Sequence, residues 1–242
     1  MSSKKLKFLL TKHSGRSHSG VISVPHQGGR EKRFYRVIDF ARTKRGVVGT
    51  VIAIEYDPAR NVRIALINYT DGDKKYILQP EGLRVGDQVM AGSGIDLKIG
   101  NALPLSEIAV GTMVHCVDGT IARSAGNNAM ILAKEGNSIR LKMPSGEIRL
   151  VKSTCYATIG QLGNIKWKDI IWRKAGTSRH RGIRPTVRGT AQNPRSHPHG
   201  GGEGRSGEGM HPKTAQGRSA RGTRTRKHNK YSDRFIVNRR KK

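Results

Sequence analysis

Two cysteines, Cys116 and Cys155, are all that the 242 residues contain. They could close one bridge at most, which excludes a disulfide framework and a four-cysteine zinc site. Aromatics are scarce at 5%, and the hydrophobic set reaches only 35%, enough for a small core but not for tight packing of the whole chain. Long apolar runs are missing too. The purely apolar stretches are short pieces such as Phe8-Leu9-Leu10, far below the length that spans a bilayer. That triplet follows Lys4, Lys5 and Lys7 and is too brief for a secretory signal, so a basic soluble arm is expected. Acidic residues are the most telling deficit: 17 Asp+Glu face 46 Lys+Arg, a formal net charge of +29. Such an excess works against a compact state by self-repulsion, and a polyanion is expected beside the chain.

The charge is not spread evenly. Residues 1–30 carry +6 with no acid, residues 31–173 carry +7, and residues 174–242 carry +16. The last 69 residues include 11 from the hydrophobic set and 11 glycines. Such a segment cannot bury enough apolar surface to offset its ordering entropy, so it is expected to order on a polyanion. Its arginines, Arg218, Arg221, Arg224 and Arg226 with Lys227, are separated by small or polar residues. That spacing argues against an amphipathic membrane helix. Guanidinium forks suit phosphate oxygens instead, and such binding is strongly salt dependent.

The middle reads as strands. Val47 to Tyr56 is rich in β-branched residues and stops at Asp57-Pro58; Ile64 to Tyr69 and Tyr76 to Leu78 flank the hairpin pair Asp71-Gly72. A short segment, Arg84 to Met90, follows. A second block holds Gly111 to Val117, Ala129 to Ala133, Ser138 to Met143 and Ile148 to Val151. Alternation along Ile139-Arg140-Leu141-Lys142-Met143 puts Arg140 and Lys142 on one exposed face. The only helical candidate is Ile165 to Lys174, where Trp167, Ile170 and Ile171 share a face. Two blocks of close-set short strands predict two small β-barrels in tandem, an architecture that often binds nucleic acid.

Enzyme chemistry finds little support. Neither cysteine lies near His197 and His199, so a zinc site lacks ligands. The run Gly200-Gly201-Gly202-Glu203-Gly204 has no Gly-Lys-Ser/Thr after it and no strand before it, so it is no phosphate loop. General acid–base work by His197 would need an orienting carboxylate, yet Arg195 and Ser196 precede it. A histidine holding phosphate or base fits better, with glycines letting the backbone approach RNA closely.

The run Arg181-Gly182-Ile183-Arg184-Pro185-Thr186-Val187-Arg188-Gly189-Thr190-Ala191-Gln192-Asn193-Pro194, followed by His197-Pro198-His199-Gly200-Gly201-Gly202-Glu203-Gly204, resembles the signature of the ribosomal protein L2 family. Tyr35 to Phe40, Glu55-Tyr56-Asp57-Pro58, Gly100 to Leu105, Ala122 to Gly126 and Phe235-Ile236-Val237 match in the family's order. The resemblance implies a mostly β chain: a basic N-terminal arm over 1–30, an OB-fold barrel over 31–94, an SH3-like barrel over 95–173 and an extended basic arm over 174–242. It also implies a structural, non-catalytic constituent of the large ribosomal subunit that binds 23S-type rRNA near the peptidyl transferase centre. Assembly, translation, neighbouring ribosomal proteins and a bridge to the small subunit belong to the same expectation, with no membrane partner. The residues expected on rRNA are Arg181, Arg184, Arg188, Asn193, His197, His199, Gly200, Gly201, Gly202, Arg205, Arg218, Arg221, Arg224, Arg226, Lys227, Arg239 and Arg240. No cofactor is expected beyond structural Mg2+ or K+ bound through rRNA. The family usually carries Asp where Ser196 stands, which removes a charge-relay partner for His197. A short amino-terminal arm and an abbreviated loop at Asp118-Gly119-Thr120 favour a mitochondrial over a bacterial ribosome.

Overall fold

The computed structural model describes residues 6–204 and 206–240. They fall into two compact units. One joins Lys32–Ile171 with the described parts of Met1–Thr11 and Tyr231–Lys242; the other joins Lys12–Glu31 with Trp172–Lys230.

The first unit opens with a two-stranded ribbon of β1 (Lys7–Leu9) and β2 (Phe34–Arg36). Next come β3 (Gly49–Glu55), β4 (Ile64–Tyr69), β5 (Lys74–Leu78) and β6 (Gln88–Val89), in the sheet order β5-β4-β3-β6. The sequence of β4, IALINY, lacks in–out alternation because both faces are covered. Ile64 and Leu66 pack with Ile38, Val62, Tyr76, Leu78 and Leu162. Ala65, Ile67 and Tyr69 pack on the other face with Val51, Ile77, Leu83 and Val89. A register shift between Val51 and Ala53 leaves Ile52 as an extra residue, the kind of bulge that bends a strand and tightens its twist.

Seven further strands form one sheet in the order β13-β11-β10-β9-β8-β12-β7. They are β7 (Ala102–Pro104), β8 (Met113–His115), β9 (Ala129–Glu135), β10 (Ser138–Lys142), β11 (Ile148–Lys152), β12 (Tyr156–Ile159) and β13 (Ile236–Asn238). A second bulge shifts the β9–β10 register between Arg140 and Leu141. Ile139 and Leu141 are fully buried with Leu103, Leu105, Val114, Ile131 and Ala157, while Arg140 and Lys142 face outward, as the alternation requires. The curled sheets make an OB-fold barrel followed by an SH3-like barrel. Leu162, just after β12, completes the first barrel's core, and the Glu81 amide donates to the Gln161 carbonyl at 2.8 Å.

His115 shows how that core treats a titratable group. Its Nδ1–H donates to the Gly160 carbonyl at 2.8 Å, and burial holds its pKa down to about 4, with the nearby Arg42 charge adding to the effect. The folded chain therefore keeps His115 neutral where an unfolded chain would charge it. Stability is lost as pH falls through the unfolded value near 6.5 towards the folded one. From pH 7 to pH 5 this residue should remove about 2 kcal/mol. Urea unfolding of the full chain at both pH values checks it. The His115→Asn variant, which can still donate to Gly160, should lose most of that pH dependence; an unchanged dependence would refute the assignment.

Among its described residues the second unit has no strand; it holds α1 (Ala175–Arg181), a 3₁₀ turn at Gly189–Ala191, further turns and isolated bridges. Helix α1 ends at Gly182, whose φ of 95° is the left-handed cap that glycine accepts, and its last turn carries Arg179, His180 and Arg181, favourable at a helix C-terminus. The helix expected over Ile165 to Lys174 is corrected. Only one 3₁₀ turn forms, at Ile165–Asp169, and Ile170 turns extended. Ile171 is 82% exposed, so no surface buries the apolar face, and a short helix without one is marginal. Residues 12–31 are anchored by the later chain: Gly28 donates to Gly182 at 2.7 Å, Glu31 to His180 at 2.9 Å, and Arg184 to His26 at 2.9 Å. Each fully buried Leu or Ile in a core contributes about 1.5–3 kcal/mol. The described residues of the second unit bury none, and His199 is their one buried polar group.

Candidate nucleic-acid interface

The loop at 189–201 is wound on its own backbone. Ser196 and His197 both donate their amides to the Asn193 carbonyl (2.8 and 3.1 Å), Gly200 donates to His197 (2.9 Å), and Gly201 to Gln192 (3.2 Å). A Cβ on Gly200 would sit 2.5 Å from the carbonyl groups of Gln192 and Asn193. Gly201 and Gly202 have φ of 91° and 92°, and a Cβ on either would lie 2.7 Å from Pro194 or Ser206. These three glycines are thus required by the loop itself.

The two histidines divide the work. His199 is only 7% exposed. Its Nδ1–H donates to the Glu208 carbonyl at 3.1 Å, and its Nε2 accepts the Lys213 amide at 2.7 Å. Both nitrogens are occupied, so His199 staples the loop to the following chain. His197 lies with its ring against Gly189, where a Cβ would be 2.4 Å from Cε1. The His199 amide donates to His197 Nδ1 at 3.1 Å, which leaves the ring proton on Nε2. His197 therefore offers one oriented N–H donor.

Arg184, Arg188, Asn193, Arg218, Arg221, Arg224, Lys227, Arg239 and Arg240 are exposed. Arg181 stacks on Trp172 at 3.2 Å from the ring centre, Arg239 pairs with Asp233 at 3.2 Å, and Arg226 is half-buried. Arg205 lies outside the described residues. Around Arg218 the chain makes a tight turn: Thr214 donates to Arg218 at 2.8 Å, and Ser219 holds His211 Nε2 at 2.9 Å.

A second basic feature, absent from the sequence reading, lies in the first unit. A cleft of about 400 Å³ is lined by Tyr35, Phe40, Ala59, Arg60, Asn61, Arg123 and Ser124. The Arg60 guanidinium lies 4.7 Å from the Tyr35 ring centre and 5.5 Å from that of Phe40; Arg123 covers Phe40 at 5.0 Å. Arg60 is aimed by fully buried Asp57, with which it pairs, and by its own donation to the Tyr35 hydroxyl at 2.6 Å. Paired guanidinium groups over aromatic faces suit a phosphate with a neighbouring base.

Two family descriptions match the chain: "Ribosomal Proteins L2, RNA binding N-terminal domain" over residues 3–91, and "Ribosomal Proteins L2, C-terminal domain" over residues 98–217. The chain belongs to the ribosomal protein L2 family. It is therefore a structural, RNA-binding protein of the large ribosomal subunit. The two matches meet between the barrels, and the C-terminal one runs through the His197 loop. No group of three or more His, Cys, Asp or Glu among the described residues could hold a metal ion. Burial pushes the Cys116 thiol up to about 11 and raises Cys155 as well, which disfavours the thiolate at both. Arg60 and Arg123 could have been flagged by their short motifs, Asp57-Pro58-Ala59-Arg60 and Ala122-Arg123-Ser124, but nothing in the sequence shows that they converge.

Proposed function

We propose that this L2 family member holds large-subunit rRNA near the peptidyl transferase centre, supports subunit assembly and bridges to the small subunit. The observation carrying the reading is electrostatic. Arg218, Arg221, Arg224 and Lys227 are exposed, and none makes an ion pair among the described residues. Uncompensated guanidinium groups on a segment without an apolar core call for a polyanion to complete them. Full-length chain should prefer large-subunit rRNA to a length-matched competitor at moderate salt; equal binding to both would indicate a general nucleic-acid chaperone.

The site supports a non-catalytic role. A general base at His197 would need a free lone pair, but Nδ1 is taken by a backbone amide and Nε2 carries the proton. Particles assembled with His197→Ala and correctly folded RNA should keep peptide-bond formation within about tenfold of wild type in single-turnover assays, the scale of a lost positioning contact rather than of a lost acid–base catalyst. Loss beyond a thousandfold would restore an acyl-transfer role. Ions such as Mg2+ or K+ would reach the loop through rRNA phosphates. A mitochondrial ribosome is proposed on the abbreviated loop at Asp118-Gly119-Thr120, and organelle fractionation tests it.

A further inference from the structure

The basic arm expected over 174–242 is divided between the two units. Trp172–Lys230 lies in the second, and the described part of Tyr231–Lys242 lies in the first. There the chain makes a 3₁₀ turn at Tyr231–Phe235 and then β13, whose Ile236 and Asn238 pair with Arg149 and Ile148 of β11. Asp233 in the turn pairs with Arg239 just past the strand at 3.2 Å, and Arg234 covers the Phe235 ring at 4.7 Å. In the second unit, Lys213 bridges Ser219 and the Ala220 amide donates to the Pro212 carbonyl at 2.8 Å. Between these two held points run ten residues, 221–230, with no helix, no strand and no acid. They carry Arg221, Arg224, Arg226, Lys227 and Lys230.

We propose that β13 is a clasp: docked on β11, it holds the far end of this cationic bridge, so that RNA meets a loop tethered at both ends. The barrel itself does not need the strand. Its core is drawn from Leu103 to Ile159, and no residue of β13 is buried; Val237 is 43% exposed. A strand of three residues at the sheet margin, paired on one side through a shifted register, adds little to that core. What its docking changes is the chain before it. A segment held at both ends has fewer conformations to lose when it settles on a partner than one held at a single end. The five cations of the bridge are hydrophilic and have no core to order them, so the two anchors do that work.

The inference rests on the rRNA-binding reading, and its test separates the two. Affinity of the full chain for large-subunit rRNA is measured against salt for wild type and two variants of unchanged charge. Inserting about twenty Gly-Ser residues between Lys230 and Tyr231 leaves β13 free to dock but triples the bridge. Effective concentration falls as about the −3/2 power of tether length, so affinity should weaken about fivefold with an unaltered salt slope. Ile236→Pro with Val237→Pro removes two successive backbone donors, one of which faces β11 in either phase, and undocks the strand. That variant should bind about tenfold more weakly, with the barrels intact in urea unfolding. The same insert placed after Lys242 is the control and should bind like wild type. Wild-type affinity with the insert before Tyr231 overturns the clasp whatever the proline variant does, because β13 would then only cover the edge of β11, and it leaves rRNA binding intact. Failure of the wild-type chain to bind rRNA overturns the underlying reading itself.

Discussion

Replacing Arg218, Arg221, Arg224 and Lys227 together by glutamine is expected to weaken binding to large-subunit rRNA about a thousandfold near physiological salt. Each of the four side chains is exposed. A charge-assisted contact to phosphate contributes on the order of 1 kcal/mol or more, and four of them make about three decades. The second expected signature is harder to imitate. Every neutralised phosphate releases counterions, so the slope of log affinity against log salt should flatten by about three. Exposed substitutions of this kind change folding stability by about 0.5 kcal/mol or less, so unfolding of the β unit should be unaltered. A variant with wild-type slope would show that these cations are solvated surface and that the charge of this segment serves another end.

Gly200→Ala is expected to exclude the chain from large subunits while leaving the barrels folded. The added methyl would lie 2.5 Å from the Gln192 and Asn193 carbonyl groups. The obstacle is backbone, not the tip of a flexible side chain, so no rotamer change relieves it. Overpacking of this kind costs about 1–3 kcal/mol in a rigid core, and more where the backbone must move. The second unit has no apolar core with which to absorb that cost. The loop should open, releasing the Asn193 carbonyl from the Ser196 and His197 amides and the His197 ring from its bed on Gly189. Incorporation is read from gradient fractions, and barrel integrity from urea unfolding. Gly207→Ala, at a glycine with open space around its would-be Cβ, is the matched control and should incorporate normally.

How much of this was legible depended on whether the deciding contact was local. Ile64 to Tyr69 is a strand with the bounds that its β-branched run suggests, and the Ile139-to-Lys142 alternation faces the way it reads. Strands β7 and β12 were not legible. They are three and four residues long and exist because they pair with each other, Tyr156 against Pro104 and Thr158 against Ala102. Strand β13 was hidden for a different reason. It lies at the end of a segment whose composition forbids a core, and it borrows the edge of β11. Charge counting located the basic segments, and the His197 loop carried the family signature. Neither could show that His199 spends both nitrogens on Glu208 and Lys213, because the partners are a carbonyl and an amide that every residue possesses. The meeting of Arg60 and Arg123 over Phe40 is likewise a product of the fold, since the three residues belong to separate connections.

The proposal that the excess of positive charge marks where RNA completes the protein is tested most directly by sedimentation. Tagged full-length chain from a cell lysate is run on a sucrose gradient at moderate salt, with and without ribonuclease treatment that dismantles subunits. The chain should co-migrate with the large subunit and return to the top of the gradient once its rRNA is digested. A chain that stays at the top in intact lysate, or spreads over all RNA without preference for the large subunit, would contradict the account.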